Sequence, residues 1–135
     1  MDKIYRILLI FYLLTALSCR KTEEKCIGNT GGNLILKVFL RHEIHDVVNL
    51  KNYRDTVYIK YNVKEFPGSD LSKYDQTIIG EWPGDYVSVT GLKCGNYFVY
   101  GTGYESAHGY RVKGGIPFST EQKNGEISLI IPVSE

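Results

Sequence analysis

The stretch VSVTGLKCGNYFVY, residues 87–100, decides the fold. Val87 and Val89 alternate with Ser88 and Thr90, the period-two pattern of a strand that buries one face. Tyr97 and Val99 resume the pattern beyond Lys93, where Cys94-Gly95-Asn96 carries turn chemistry. A strand, a tight turn and a second strand succeed one another with no room for a helix between them.

The same alternation recurs on both sides. Leu34, Leu36, Val38 and Leu40 fall on one face, as do Val57, Ile59, Tyr61 and Val63. Val112, Gly114, Ile116 and Phe118 form another such face, on a strand that Pro117 confines to a sheet edge. Ile127, Leu129, Ile131 and Val133 make the last, and Gln76 to Trp82 reads as a further short strand. Pro67-Gly68, Pro83-Gly84 and Asn124-Gly125 mark turns between them. Fourteen Gly, eleven Tyr and a single Met agree with strands and turns. Six or seven short strands, each with one apolar face, predict an all-β, antiparallel two-sheet β-sandwich of about seven strands over residues 32–135.

The 135 residues suit one domain, and its beginning carries an address. Lys3 and Arg6 precede an apolar run of eleven residues, Ile7 to Leu17. As a helix this run spans roughly 16 Å, about half a bilayer core, so residues 1–18 read as a secretory signal and not as an anchor. The Ala16-Leu17-Ser18-Cys19 sequence resembles a bacterial lipobox, which predicts cleavage before Cys19 and acyl chains on it. Two or more chains make a stable membrane anchor. Arg20 after the lipidated Cys favours the outer membrane of the bacterial cell envelope; Lys21-Thr22-Glu23-Glu24 leaves the surface and periplasmic faces both open. Residues 19–31, polar and containing Gly28 and Gly31, read as a flexible tether. Removing residues 1–18 takes Lys3, Arg6 and Asp2 from 16 basic and 15 acidic side chains and leaves 14 of each. A neutral balance excludes a nucleic-acid partner read by charge.

The 87–100 stretch is similar to the strand–turn–strand signature of transthyretin-like and carboxypeptidase-regulatory-like sandwiches. Leu92, Gly95 and Tyr97 hold the signature positions, with Lys93 and Cys94 where those turns commonly carry Pro. TVYIKYN (56–62), EFPG (65–68), GLKCGNY (91–97), KGGIP (113–117) and the ending PVSE resemble a family of small uncharacterised lipoproteins of the Bacteroidetes. That resemblance implies an Ig-like or transthyretin-like Greek key at the envelope and brings no activity with it. Transthyretin-like hydroxyisourate hydrolases end Tyr-Arg-Gly-Ser; this chain ends Pro-Val-Ser-Glu.

Several residue groups are candidates for chemistry. His42 and His45 stand with Asp46 in RHEIHD. Side chains three apart on a strand face opposite ways, so shared metal ligation by these three requires a turn that brings the rings together. Glu65, Asp70 and Asp75 could offer oxygens to calcium, although their spacing matches no EF-hand. Cys26 and Cys94 remain once Cys19 is acylated; an oxidising compartment favours a bridge between them, two free thiols being the other reading. If Tyr97 and Val99 face inward, then Phe98, Tyr100 and Tyr104 face outward, and Tyr58 opposes Val57 and Ile59. Outward aromatics either anchor a protein or glycan or pair across strands.

No nucleophile elbow, phosphate loop or clustered metal motif stands in the sequence. The expectation is therefore a lipid-anchored, non-catalytic lipoprotein, without cofactor, that presents its sandwich to an envelope protein or glycan. A structural subunit of a larger envelope complex is one alternative. A small hydrolase using His42, His45 or His108 in a loop cleft is the other. The address is testable by itself: Cys19→Ala should accumulate as an unprocessed precursor that takes up no radiolabelled fatty acid, and normal processing of that variant would refute the lipobox.

Overall fold

Burial alternates residue by residue along the first strand of the domain, β1 (Thr30–His42), where Leu34, Leu36, Val38, Leu40 and His42 are buried and the residues between them are half-buried. The computed structural model describes residues 23–135; the signal segment and Cys19 lie outside the described residues. After β1 come β2 (His45–Val47), β3 (Thr56–Tyr61), β4 (Gln76–Ile79), β5 (Val87–Leu92), β6 (Gly95–Glu105), β7 (Tyr110–Thr120) and β8 (Asn124–Val133). A 3₁₀ turn, Leu71–Lys73, sits in the loop before β4.

The strands form two sheets that face each other. One is antiparallel throughout, in the order β4-β3-β6-β7. The other is built on β1. Its partner β8 runs beside it from Asn33 to His42, while β5 covers Leu34 to Val38 and β2 covers Leu40 to His42. A strand has two edges, so β5 and β2 share, end to end, the edge that β8 leaves free. β8 is parallel to β1. The reason is directional: β7 returns along the sandwich, and the short 121–123 connection carries the chain to the other sheet already heading the way β1 heads. The short strand β2 and this parallel pair are the departures from a simple seven-strand antiparallel pattern. β7 is the outer strand of its sheet, the place that Pro117 requires.

Leu34, Leu36, Val38 and Leu40 of β1 pack in one core with Val57, Ile59, Val87, Val89, Leu92, Tyr97, Val99, Val112 and Ile131. Gly101 faces this core from β6, and a Cβ there would lie 2.3 Å from Leu40 Cδ2, so only glycine lets the two sheets approach so closely at this level.

Tyr97 closes one end. It is fully buried, and its hydroxyl donates to the Lys93 carbonyl at 2.6 Å and accepts the Asn29 N–H at 3.1 Å. A tyrosine at the start of a strand, bonded back to the corner a few residues upstream, is the tyrosine corner of β-sandwiches. Around it the N-terminal segment is clasped. Cys26 is bonded to Cys94 with their Cα atoms 4.9 Å apart, Asn62 Nδ2 donates to the Gly28 carbonyl at 2.9 Å, and Lys93 N–H donates to the Asn29 carbonyl at 2.9 Å. The bridge closes a loop of 68 residues, worth about 4 kcal/mol at most through chain entropy. The tether expected over residues 19–31 therefore stops at Cys26. Gly28, which suggested flexibility, does the opposite here, as does Gly32 just beyond the expected tether. A Cβ on Gly28 would lie 2.5 Å from the Asn96 carbonyl oxygen, and one on Gly32 would lie 2.2 Å from that of Leu92, so both give the segment its close approach to the domain.

The corner can be tested by stability. Tyr97→Ala should cost about 3–5 kcal/mol, as for emptying a large buried site. Tyr97→Phe keeps the ring but strands the Lys93 carbonyl and the Asn29 N–H, and should cost about 1–3 kcal/mol. Urea unfolding of the three proteins measures both; a neutral Tyr97→Phe would mean that the hydroxyl is not holding the clasp.

Candidate functional site

The strands β1 and β6 both run away from the clasp. At the far pole the inward-facing positions turn from apolar to polar. Beyond Leu40 on β1 comes His42; beyond Tyr97, Val99, Gly101 and Gly103 on β6 comes Glu105; Tyr110 opens β7 opposite Glu105; Asp55 immediately precedes Thr56 and Val57 of β3. His45 joins them from β2. Glu43, at φ 53°, lets the chain turn in two residues, so His42 and His45 become direct cross-strand partners. Partners opposite each other on an antiparallel pair point to the same face, and this is how an i,i+3 pair on extended chain comes to converge.

The carboxylate of Glu105 is the centre of the group. Its Oε2 accepts the His45 Nε2–H at 2.7 Å and stands 3.7 Å from His42 Nδ1. Its Oε1 accepts the Ala107 N–H at 3.0 Å. The Ala107 bond, with the hydrogen bond to His45 behind it, holds the carboxyl below its ordinary pKa against the opposing effect of burial, so Glu105 is anionic at neutral pH. The other ring nitrogen of His42, Nε2, lies 3.4 Å from the Tyr110 hydroxyl, while Nδ1 is buried without a hydrogen-bond partner. His108 stacks on Tyr110 with ring centroids 5.6 Å apart and stands at 6.3 Å from the His42 ring, on the exposed turn before β7. The ligating atoms of His42, His45 and Glu105 all lie within 4.8 Å of one another.

Asp46 does not join its two histidine neighbours. It pairs across the hairpin with Arg41, whose Nε donates to its Oδ1 at 3.0 Å, on the face away from His42. The third member of the cluster is Glu105, sixty residues beyond His45 along the chain. Asp70 and Asp75 do not converge either. Asp70 accepts from the backbone and hydroxyl of Ser72; Asp75 accepts from Lys60 and from the Tyr61 N–H.

The aromatic set lies on the outer face of the β4-β3-β6-β7 sheet, as alternation requires, but it is not an open platform. Phe98 and Tyr100 are buried in a second small core with Tyr74, against which Tyr58 packs. The 62–75 segment covers them. Phe66 stands 5.6 Å from Phe98 and 5.9 Å from Tyr100, and the Tyr74 hydroxyl donates to the Gly68 carbonyl at 3.2 Å. Tyr104 lies beyond this cover and stacks on exposed Tyr53 at 4.4 Å. A hollow of about 510 Å³ lies at the clasp pole, lined by Lys25, Lys93 and Lys123 among others. The converging donors lie at the opposite end from this hollow, and they make the far pole the candidate site.

Asp55 is the second acid that sequence reading missed. It is 1 % exposed; its N–H donates to Asn49 Oδ1 at 2.8 Å, but its own Oδ1 has no partner. A Cβ at Gly103 would lie 2.6 Å from that oxygen. Burial alone raises its pKa to about 7. For Glu105 and Asp55 the available signal was phase: each stands at the inward position where its strand enters or leaves the sandwich.

Neither a protein-family model, a curated protein nor a solved structure matches the chain, so the geometry carries the functional argument.

Asp55 gives the site a pH signature. Its carboxyl binds a proton more tightly folded than unfolded, so the stabilisation is complete below about pH 4 and is lost as pH rises through about 7. The gap corresponds to at most about 4 kcal/mol. Asp55→Asn should remove this dependence, so that the variant gains on the native protein between pH 5 and pH 8. Urea unfolding of both at each pH measures it; a constant difference would show that Asp55 does not titrate in this range.

Proposed function

We propose that this chain is a lipid-anchored, non-catalytic lipoprotein of the bacterial envelope that holds the far pole of its sandwich out to a protein partner. The observation that carries the reading is the opposition of the two poles. The chain enters at the Cys26–Cys94 clasp, and β1 then runs thirteen residues to His42, about 40 Å at strand rise. Cys19 stands seven residues before Cys26, a reach of at most roughly 25 Å. An acylated Cys19 would therefore keep the clasp pole near the outer membrane and set the β1–β2 hairpin tip, with the polar cluster behind it, on the side facing away.

The exposed chemistry supports a protein partner ahead of a glycan. Ile44, at the hairpin tip, is 94 % exposed, and exposed Tyr53 stacks on Tyr104. Sugar recognition by stacking needs open ring faces, and Phe98 and Tyr100 are covered by Phe66 and Tyr74. The likeness to Bacteroidetes lipoproteins agrees with the location.

Photo-crosslinking in intact cells tests the reading. A photoreactive residue at Ile44 should trap a discrete protein partner, and the same residue at Lys123 should not. Ile44→Asp should abolish the partner's co-purification while changing stability by no more than about 0.5 kcal/mol. Equal trapping from both positions, or none from Ile44, would overturn it.

A further inference from the structure

We propose that His42, His45 and Glu105 form a binding site for one divalent late transition metal ion, of which zinc is the representative. The inference is independent of the display role. Its first ground is convergence from three strands: Glu105 Oε2 lies 2.7 Å from His45 Nε2 and 3.7 Å from His42 Nδ1. A tetrahedral ion with bonds of about 2.0–2.1 Å holds its donor atoms roughly 3.3 Å apart. The two observed distances bracket that value, and all three donor atoms lie within 4.8 Å of one another. Entry of an ion requires His45 Nε2 to give up the proton it shares with Glu105, His45 to withdraw from the carboxylate and the His42 ring to close on the other two donors.

The second ground is that two of the three atoms facing away from the centre, those of Glu105 and His42, are already held. Glu105 Oε1 takes the Ala107 N–H, and His42 Nε2 lies against the Tyr110 hydroxyl. With Nε2–H donating to that hydroxyl, the lone pair of Nδ1 is left free toward Glu105. Such outer partners set the tautomer and orientation of metal-ligating imidazoles. The third ground is His42 itself. It is 7 % exposed, and Nδ1 points into the cluster with no hydrogen-bond partner. A buried nitrogen left unpaired is unfavourable, and coordination would remove that penalty.

Donor type then selects the ion. Two imidazoles and one carboxylate suit zinc, copper or nickel. Calcium takes six to eight oxygens, and magnesium a nearly ideal octahedron that retains several waters. The His45 side chain is 42 % exposed, so the cluster opens to solvent on that side and leaves a fourth position for water or for a group brought by a partner.

Titration of the purified full chain with zinc, read by competition with a chromophoric chelator, tests the site. One zinc per chain should bind, with calcium and magnesium unable to compete, and zinc should raise the thermal midpoint. Tyr110→Phe should weaken binding by about tenfold, in the range for loss of an outer-shell partner. His45→Ala should weaken it further. His45→Ala also takes a hydrogen bond from buried Glu105, so His45→Gln, which can restore that bond without supplying an imidazole, separates loss of the ligand from loss of the fold. Cobalt bound in place of zinc should give the intense visible bands of tetrahedral coordination in the native chain and lose them in Glu105→Gln. Failure to bind zinc with one-to-one saturation would overturn the site and leave the cluster as a hydrogen-bonded hairpin clasp. Binding unchanged in both His45→Ala and Glu105→Gln would overturn it as well.

Discussion

The buried hydroxyl of Tyr97 is the constraint on which the rest of the sandwich depends. It joins three pieces of chain that are distant in sequence: the N-terminal segment at Asn29, the corner at Lys93 and the start of β6. Burial of the ring sets which way β6 alternates, because a slip of one residue would turn every side chain to the opposite face. With Tyr97 inward, Val99 is inward as well, Gly101 meets Leu40, and Glu105 arrives at the inward position of the far pole. The disulfide and the Asn62 contacts reinforce the same junction from outside.

Ending the inward phase in polar residues has a physical consequence. The centre of the sandwich is closed by fully buried Leu, Val and Ile side chains, and water has no place there. At the far pole the strands run out, and His42, Glu105 and Asp55 occupy positions that geometry makes interior but that no further apolar layer covers. Buried polar groups demand partners. Glu105 finds several; His42 is half-satisfied; Asp55 has its backbone N–H satisfied by Asn49 and its carboxyl left to burial. An apolar end cap would hold this pole together more simply, so the incomplete pairing is what draws attention to it as a site.

The outer aromatic face shows how packing can reverse the meaning of a pattern. Tyr58, Phe98 and Tyr100 are outward by alternation, which on an uncovered sheet would make them a recognition surface. Covered by Phe66 and Tyr74, they become a second core that pins the 62–75 segment. The groups left outside the cover are Tyr53, exposed and stacked on Tyr104 at its edge, and Ile44 at the hairpin tip.

Alternation determined the strands other than β2, and Pro117 the edge position of β7, because period and turn chemistry are local properties of the chain; the turn read at 94–96 lies at Lys93 and Cys94, since Gly95 and Asn96 already belong to β6. The inward face of β1 was equally legible, and His42 lies on it in phase with Leu34 to Leu40. Counting thiols favoured a bridge between Cys26 and Cys94 but left two free thiols open; the bond, and the way it immobilises Gly28, came from the structure. What sequence could not supply was anything that depends on which strand ends meet. The histidine pair pointed to Asp46 because Asp46 is adjacent in the chain, whereas the acid that meets them is Glu105, brought from β6 by the sheet-to-sheet packing. The direction of β8, the cover over Phe98 and the unpaired burial of Asp55 were decided in the same way. Each depends on contacts between segments far apart in the chain, and a local pattern carries no record of its distant neighbours.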